Sequence, residues 1–238
     1  MDFALPDDLG ELQRAVRRMA QERIKPIARE LDARAEYPED LFRLFAEMGL
    51  MGLVVPEEYG GSGAGVLGLV VAIEEAAKYC QSSALMLLLS RLAPGPILVA
   101  GTADQKQRWA GGVADGTLRG SFALSEAGAG SDIMGQRARA TPDGSGFRLN
   151  GTKSWISGAT VADFFTTFAG HDPDAGHRGL TAFVVPRDTP GVSIGRTDDK
   201  MGVRAVPTAE VIFDDVYIGP EHVIGEPGDG FKLSLIHI

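Results

Sequence analysis

FALSEAGAGSD, residues 122–132, decides how this sequence is read. An apolar run, Phe122, Ala123 and Leu124, stops at Ser125. The residues after that serine are almost stripped of side-chain bulk: Glu, Ala, Gly, Ala, Gly, Ser, Asp. A plain tight turn rarely needs so many small or acidic residues in a row. A loop this bare, directly after a strand, lets successive backbone N–H groups approach an anion closely, with serine hydroxyls as further donors. Ser125, Gly130 and Ser131 are the candidate donors.

Two familiar phosphate loops do not fit. Gly128-Ala129-Gly130 begins like a dinucleotide fingerprint, but Ile133 stands at the third small position and no βαβ unit surrounds it. Gly151-Thr152-Lys153-Ser154 carries an extra residue between glycine and lysine, and it lies on a hairpin, so it is no Walker loop. A second stretch, KSWIS (residues 153–157), comes after that hairpin. Trp155 offers a broad flat face, and Ser157 a hydroxyl from the same side of a strand. A phosphate-bearing ligand with a large planar polar ring would use both stretches. Taken alone, Trp155 reads equally well as a core tryptophan.

On either side of this region the pattern differs. Residues 1–116 read as helices. Leu9, Leu12, Val16, Met19, Ile27 and Leu31 fall near one face of a helical period, with Pro26 interrupting the run. Pro38 opens a helix that stops at Gly49. Two apolar helices come after the loop VVPEEYGGSGAG, and Thr102 and Gln105 have capping-box spacing for another. From residue 117 to 232 the pattern is short strands: GSFALS, QRARAT, GFRLNGTKSWIS, ADFFTTFA, GLTAFVVP and AEVIFDDVYI, with a turn at Asp143-Gly144. Strands without intervening helices predict an antiparallel barrel or sandwich. The fold class is therefore α+β, an all-α domain followed by a β domain.

Composition narrows the function. A net charge of −9 argues against a nucleic-acid footprint. The one cysteine, Cys80, excludes an internal disulfide framework and reads as a small buried thiol. His171, His177 and His222 share no ligand spacing, so no metal site is expected. The apolar run ALMLLLSRLA falls short of a membrane span, and the N-terminus lacks the features of a secretory signal, so a cytoplasmic protein is expected.

ALSEAGAGSD followed by NGTKSWIS resembles the flavin-binding middle domain of the acyl-CoA dehydrogenase family. DKMGVRAVPTAEVIFDDVYIGPEHVIGEPGDGFK, residues 199–232, is similar to the same family's next segment, and VPEEYGGSG fits its helical first half. Ala127 stands where the family usually has proline, and His222 where asparagine is commoner. The resemblance implies an N-terminal helical domain, a middle β domain and a C-terminal four-helix bundle, with the present chain stopping before the bundle. It implies FAD as cofactor, lined by Phe122, Ala123, Leu124, Ser125, Gly130 and Ser131, with Trp155 over a ring face and Ile156 and Ser157 at the N5 edge. It implies an acyl-CoA substrate met by Ser131 and, through a looser match, Arg178, for which a solvated loop arginine is the alternative. The implied reaction is α,β-desaturation of an acyl thioester, with an electron-transfer flavoprotein as acceptor and a homotetramer as assembly.

The family's catalytic glutamate belongs to the C-terminal bundle, so no catalytic residue is assigned in this chain, which is expected to be inactive alone and to bind FAD weakly. Glu126 is set aside as a base, because an acid in a tight turn more often braces backbone N–H groups. The ending LSLIHI, residues 233–238, resembles translated sequencing adapter and is left out of the fold reading. Two rival functions stay open: an acyl-CoA oxidase or related flavoprotein of the same fold, and a non-catalytic module that binds a CoA-like ligand.

Overall fold

The computed structural model describes residues 4–234. By its contacts the chain divides into two compact units, and neither is a continuous stretch. One holds the residues up to Arg91 together with Gly111–Thr117 and Asp199–Val206. The other holds Leu92–Ala110, Leu118–Asp198 and the chain from Pro207. A reading along the chain draws a single cut near residue 116. In space, the helical segment 92–110 packs with the strands, and the loop 199–206 packs with the helices.

The helical unit begins with α1 (Asp7–Met19), which buries Leu9, Val16 and Met19. Asp7 and Asp8 in its first turn and Arg17 and Arg18 in its last complement the helix dipole. Ahead of Pro26 the helix widens into a π-turn, Ala20–Ile24, closed by Lys25 N–H on the Ala20 carbonyl. Proline has no N–H to continue the ladder, so the chain restarts as α2 (Ala28–Arg34). Pro38 precedes α3 (Glu39–Glu47), and the chain turns at Gly49, whose φ is +70°. In the loop before α4 (Gly65–Ala77), a Cβ on Gly61 would lie 1.9 Å from the Val55 carbonyl oxygen, so only glycine fits there. The sequence expectation for Cys80 holds: it is buried in the helical core.

Across α1 and α4 lies an ion pair that periodicity does not reveal. Glu75 is fully buried and accepts two hydrogen bonds from Arg17, at 2.8 and 3.1 Å, and one from Lys78 at 2.8 Å. The Arg17 hydrogen bond holds the Glu75 carboxyl down to about 2, against burial and with help from Lys78. A carboxyl depressed in the folded state contributes stability above its unfolded value and loses it as pH falls toward the folded one. Glu75→Gln is thus expected to cost about 2 kcal/mol at pH 7, since it removes a charged hydrogen-bond acceptor from a buried site. It should also flatten the loss of stability between about pH 4.5 and pH 2. Urea titrations across that range measure both effects, and identical acid limbs would contradict the assignment.

One expectation is corrected. Gln81–Ala100 is a run of helix 20 residues long, with a mean hydropathy of 1.6, long and apolar enough to cross a membrane by length and composition. It comprises α5 (Gln81–Leu92) and, after a turn at residues 93–94, the helix Gly95–Ala100. Leu87 and Ile97 on it are fully buried, which marks it as packed within the protein. The expectation rested on ALMLLLSRLA alone, whereas the apolar helical run continues past the turn at residues 93–94 to Ala100.

In the second unit the Thr102–Gln105 capping box forms as expected, with Gln105 N–H on Thr102 Oγ1 at 3.2 Å and Thr102 N–H on Gln105 Oε1 at 3.0 Å. The strands are β1 (Gly120–Ala123), β2 (Arg139–Asp143), β3 (Gly146–Ser157), β4 (Phe164–Gly170), β5 (Leu180–Pro186), β6 (Val192–Thr197), β7 (Thr208–Ile218) and β8 (Val223–Ile224). Among the described residues they form one sheet in the order β6-β7-β3-β2-β4-β5-β8, with β1 beside β4. β2 and β3 form the hairpin expected at Asp143-Gly144, with Gly144 at φ +60°. Strands β6 and β8 were not expected. β6 is half polar and β8 is a two-residue pairing, so neither carries a strong period.

The sheet is mixed where a purely antiparallel one was expected. β1 pairs with β4 in parallel from Gly120↔Phe164 to Ala123↔Thr167, and β2 touches the same strand, also parallel, at Arg139↔Gly170. β1 and β2 therefore lie in line along one edge of β4, as a strand interrupted. Residues 124–138 are the chain that loops out of the interruption. This topology positions the site.

Candidate functional site

The bare loop leaves the sheet at Leu124. Glu126 and Ala129 exchange both backbone hydrogen bonds at 3.0 Å, closing a tight turn. Both residues are buried, whereas Ala127, Gly128, Gly130, Ser131 and Asp132 are exposed. Gly128 and Gly130 have no left-handed φ, and a Cβ added to either would meet nothing within 4 Å. The folded chain does not require glycine at these two positions. Their smallness leaves the backbone open to close approach from outside.

The second stretch lies alongside. β3 runs past the end of β2, and Ser154 N–H donates to the Ser125 carbonyl at 2.9 Å. Lower down, Ser121 Oγ donates to the Ser157 carbonyl at 2.9 Å. The loop and the tryptophan strand thus share one region of the sheet.

A β-bulge shapes that strand. Lys153 pairs with Val211 and Ile156 with Ala209, so Ser154 and Trp155 together oppose Glu210. Trp155 takes φ +60°, a conformation that costs a residue with a Cβ about 1–3 kcal/mol. It is 55 % exposed, which excludes the core reading; the buried tryptophan is Trp109. Because Ile156 is buried between them, Trp155 and Ser157 keep a common side of the strand, as expected. Strict alternation would put Lys153 on that side as well. The extra residue of the bulge sends it inward instead.

Lys153 is fully buried. Its Nζ donates to Leu124 O at 3.2 Å, Glu126 Oε1 at 2.8 Å and Gln136 Oε1 at 2.7 Å, which uses every proton of an ammonium. Glu126 also accepts N–H groups from Arg137 at 2.7 Å and Ala138 at 3.1 Å, bracing the backbone as expected of an acid in a turn. Burial pushes the Lys153 ammonium down to about 8, with Glu126 resisting. Burial would raise the Glu126 carboxyl, but Lys153 and the two amides outweigh it and hold the group below the usual range. At neutral pH both partners are therefore charged.

The other candidate residues are more scattered. Phe122 is half-buried on β1, its ring 5.2 Å from that of Phe168, and Leu124 is half-buried at the start of the loop. Ala123 and Ile156 send their side chains into the core, so only their backbone faces outward. Ser125 and Ser157 are half-buried. Arg178 is exposed on the segment Pro173–Gly179. That segment's Gly176 and Gly179, with Ile133, Met134, Gln136 and Arg139, help line a cavity of about 120 Å³, of which Arg178 is not a lining residue. Gln136 Nε2 is buried and has no hydrogen-bond partner among the described residues. Of Leu233–Ile238, Leu233 and Ser234 are buried at the end of the helix Gly230–Ser234, and the other four lie outside the described residues.

Sequence reasoning missed Lys153, Ser154 and Gln136 as site-building residues. The sequence held no local signal for Lys153: plain alternation places it outward with Trp155 and Ser157, and only the bulge in the pairing with β7 turns it inward.

Family models of the acyl-CoA dehydrogenase N-terminal domain and middle domain match residues 6–117 and 121–216. The chain belongs to the acyl-CoA dehydrogenase family. It is 38 % identical to the mouse (Mus musculus) short-chain specific acyl-CoA dehydrogenase, mitochondrial, over 97 % of this chain and 56 % of that one. The structure of butyryl-CoA dehydrogenase from Megasphaera elsdenii superposes with a TM-score of 0.93 at 34 % identity, covering 98 % of this chain and 62 % of that chain. The FAD complex of PigA superposes with a TM-score of 0.92 at 28 % identity, over 98 % and 62 % of the two chains. The chain thus spans about 60 % of the length of these acyl-CoA dehydrogenase relatives. The residues of the site suit a flavin: an open glycine loop for a diphosphate and, tied to it through Ser125 and Ser154, an outward tryptophan for a ring.

Proposed function

We propose that this chain supplies the FAD- and acyl-CoA-binding part of an acyl-CoA dehydrogenase that desaturates an acyl thioester between its α and β carbons. One observation carries the proposal: a loop whose glycines serve no need of the fold is hydrogen-bonded to a strand that turns its tryptophan outward at positive φ. FAD, when bound, supplies the hydride acceptor for this chemistry. The chain's own part is to bind and orient. Backbone N–H groups near Gly130 and the Ser131 hydroxyl receive the diphosphate, and Trp155 covers a face of the ring. The Ser125 and Ser157 hydroxyls donate to its polar edges. Ser131 and Arg178 meet the CoA portion of the substrate.

Glu126 is not free to take the α-proton, since it is committed to Lys153 and two amides. The family resemblance supports a base from the C-terminal helical part of the longer relatives, so that the 238 residues alone bind FAD weakly and turn nothing over. Family membership supports extending the proposal to an electron-transfer flavoprotein as acceptor and to a tetramer, which we place in the cytoplasm. The test is an absorption spectrum of the protein expressed from its complete gene, before and after adding acyl-CoAs of graded length. A flavin band that bleaches with one length range is expected, together with no turnover by the isolated 238-residue chain. A purified protein with no flavin band, and none after incubation with FAD, would overturn the reading.

A further inference from the structure

The Glu126–Lys153 pair is unused by the desaturation chemistry, and nothing in the fold's core demands it. The neighbouring cluster of Ala123, Ala138, Leu149 and Ile156 is apolar, and burying a charged pair beside it is a poor route to stability in itself. Its connections are specific. Through Lys153 it grasps both ends of the looped-out segment, Leu124 and Glu126 at one end and Gln136 at the other. Through Glu126 it holds the amides of Arg137 and Ala138, where β2 resumes beside β4. Lys153 itself stands next to the bulge residues Ser154 and Trp155.

We propose that Lys153 and Glu126 are positioning residues: this buried pair sets the amides of residues 125–131 and the Trp155 bulge at one fixed separation, so that a ligand carrying both a diphosphate and a planar ring is gripped at both ends. The inference rests on the proposed binding of FAD. A rigid spacing favours only a ligand that spans it, because the ordering cost is then met once for two contacts. FAD spans it, whereas riboflavin occupies the ring end alone.

The test uses the protein expressed from its complete gene, stripped of flavin, in the wild type and in Glu126→Gln, Lys153→Met and the apolar pair Glu126→Leu/Lys153→Met. Titrations follow flavin fluorescence with FAD and with riboflavin, and hydrogen exchange is read at residues 125–131 and in β4 without flavin. In variants folded by circular dichroism, FAD affinity is expected to fall about 30-fold, with riboflavin affinity changed less than about threefold. Exchange is expected to accelerate at least about tenfold in the loop and to stay constant in β4. The apolar pair is the decisive variant, since a merely structural role would be restored by it. If Lys153→Met does not fold, Glu126→Gln and the apolar pair decide. A folded variant that binds FAD as the wild type does, or that loses FAD and riboflavin equally, overturns the proposal. Unchanged exchange in the loop overturns it too. If the wild type binds no flavin while the variants' loops exchange faster, the FAD reading fails and the positioning device stands.

Discussion

Lys153→Met is expected to destabilise the protein by about 3–5 kcal/mol, the range for breaking a buried ion pair from one side. Methionine fills similar volume, so the loss is electrostatic. The Glu126 carboxylate keeps two backbone amides but loses its cation, and the Leu124 carbonyl and Gln136 Oε1 lose a donor inside the protein. Water cannot replace it easily, because the side chains of Lys153 and Glu126 are 0 % and 7 % exposed. Replacing both partners, Glu126→Leu/Lys153→Met, should recover at least about half the loss, since no uncompensated charge is then buried. Urea unfolding of the two variants measures the difference. A single variant within about 0.5 kcal/mol of wild type would show that the pair is not charged or not buried in solution.

The second large effect separates binding from stability. Gly130→Ala is expected to leave unfolding unchanged or slightly raised, because the new methyl group meets nothing and the backbone is not left-handed. FAD affinity should nevertheless fall about tenfold, and about 100-fold in Gly130→Val, as one and then more of the charge-assisted hydrogen bonds to the diphosphate are blocked. Gly128 should behave in the same way. Gly146 is the contrast: a Cβ there would lie 2.2 Å from the Ile218 carbonyl oxygen, so its replacement should harm folding irrespective of ligand. Flavin fluorescence titration beside a thermal melt reads both quantities. Undiminished FAD affinity in folded Gly130→Val would remove the loop from the flavin site.

Much of the fold was legible because it is written in local chemistry. Pro26 and Gly49 interrupt helices wherever they stand, and Thr102 with Gln105 caps one within a single turn. The switch from helices to strands near residue 117 comes from the period of the apolar residues alone. Weakly patterned elements were not legible: β6 and β8 owe their existence to the edges of β7 and β5. The Glu75–Arg17 pair joins residues 58 positions apart, and no local rule connects them.

By itself the sequence determined that a loop stripped of side chains comes directly after a strand, that a tryptophan stands on a later one, and that both suit a ligand with a diphosphate and a ring. These are properties of a few neighbouring residues and survive without knowledge of the fold. The tertiary structure alone decided that β1 and β2 share one edge of β4 and expel the loop between them. It also decided that a bulge turns Trp155 out and Lys153 in, and that Lys153 meets Glu126 across 27 positions of sequence. Strand register and burial depend on partners far along the chain, and a one-residue shift in pairing reverses which side chains are buried.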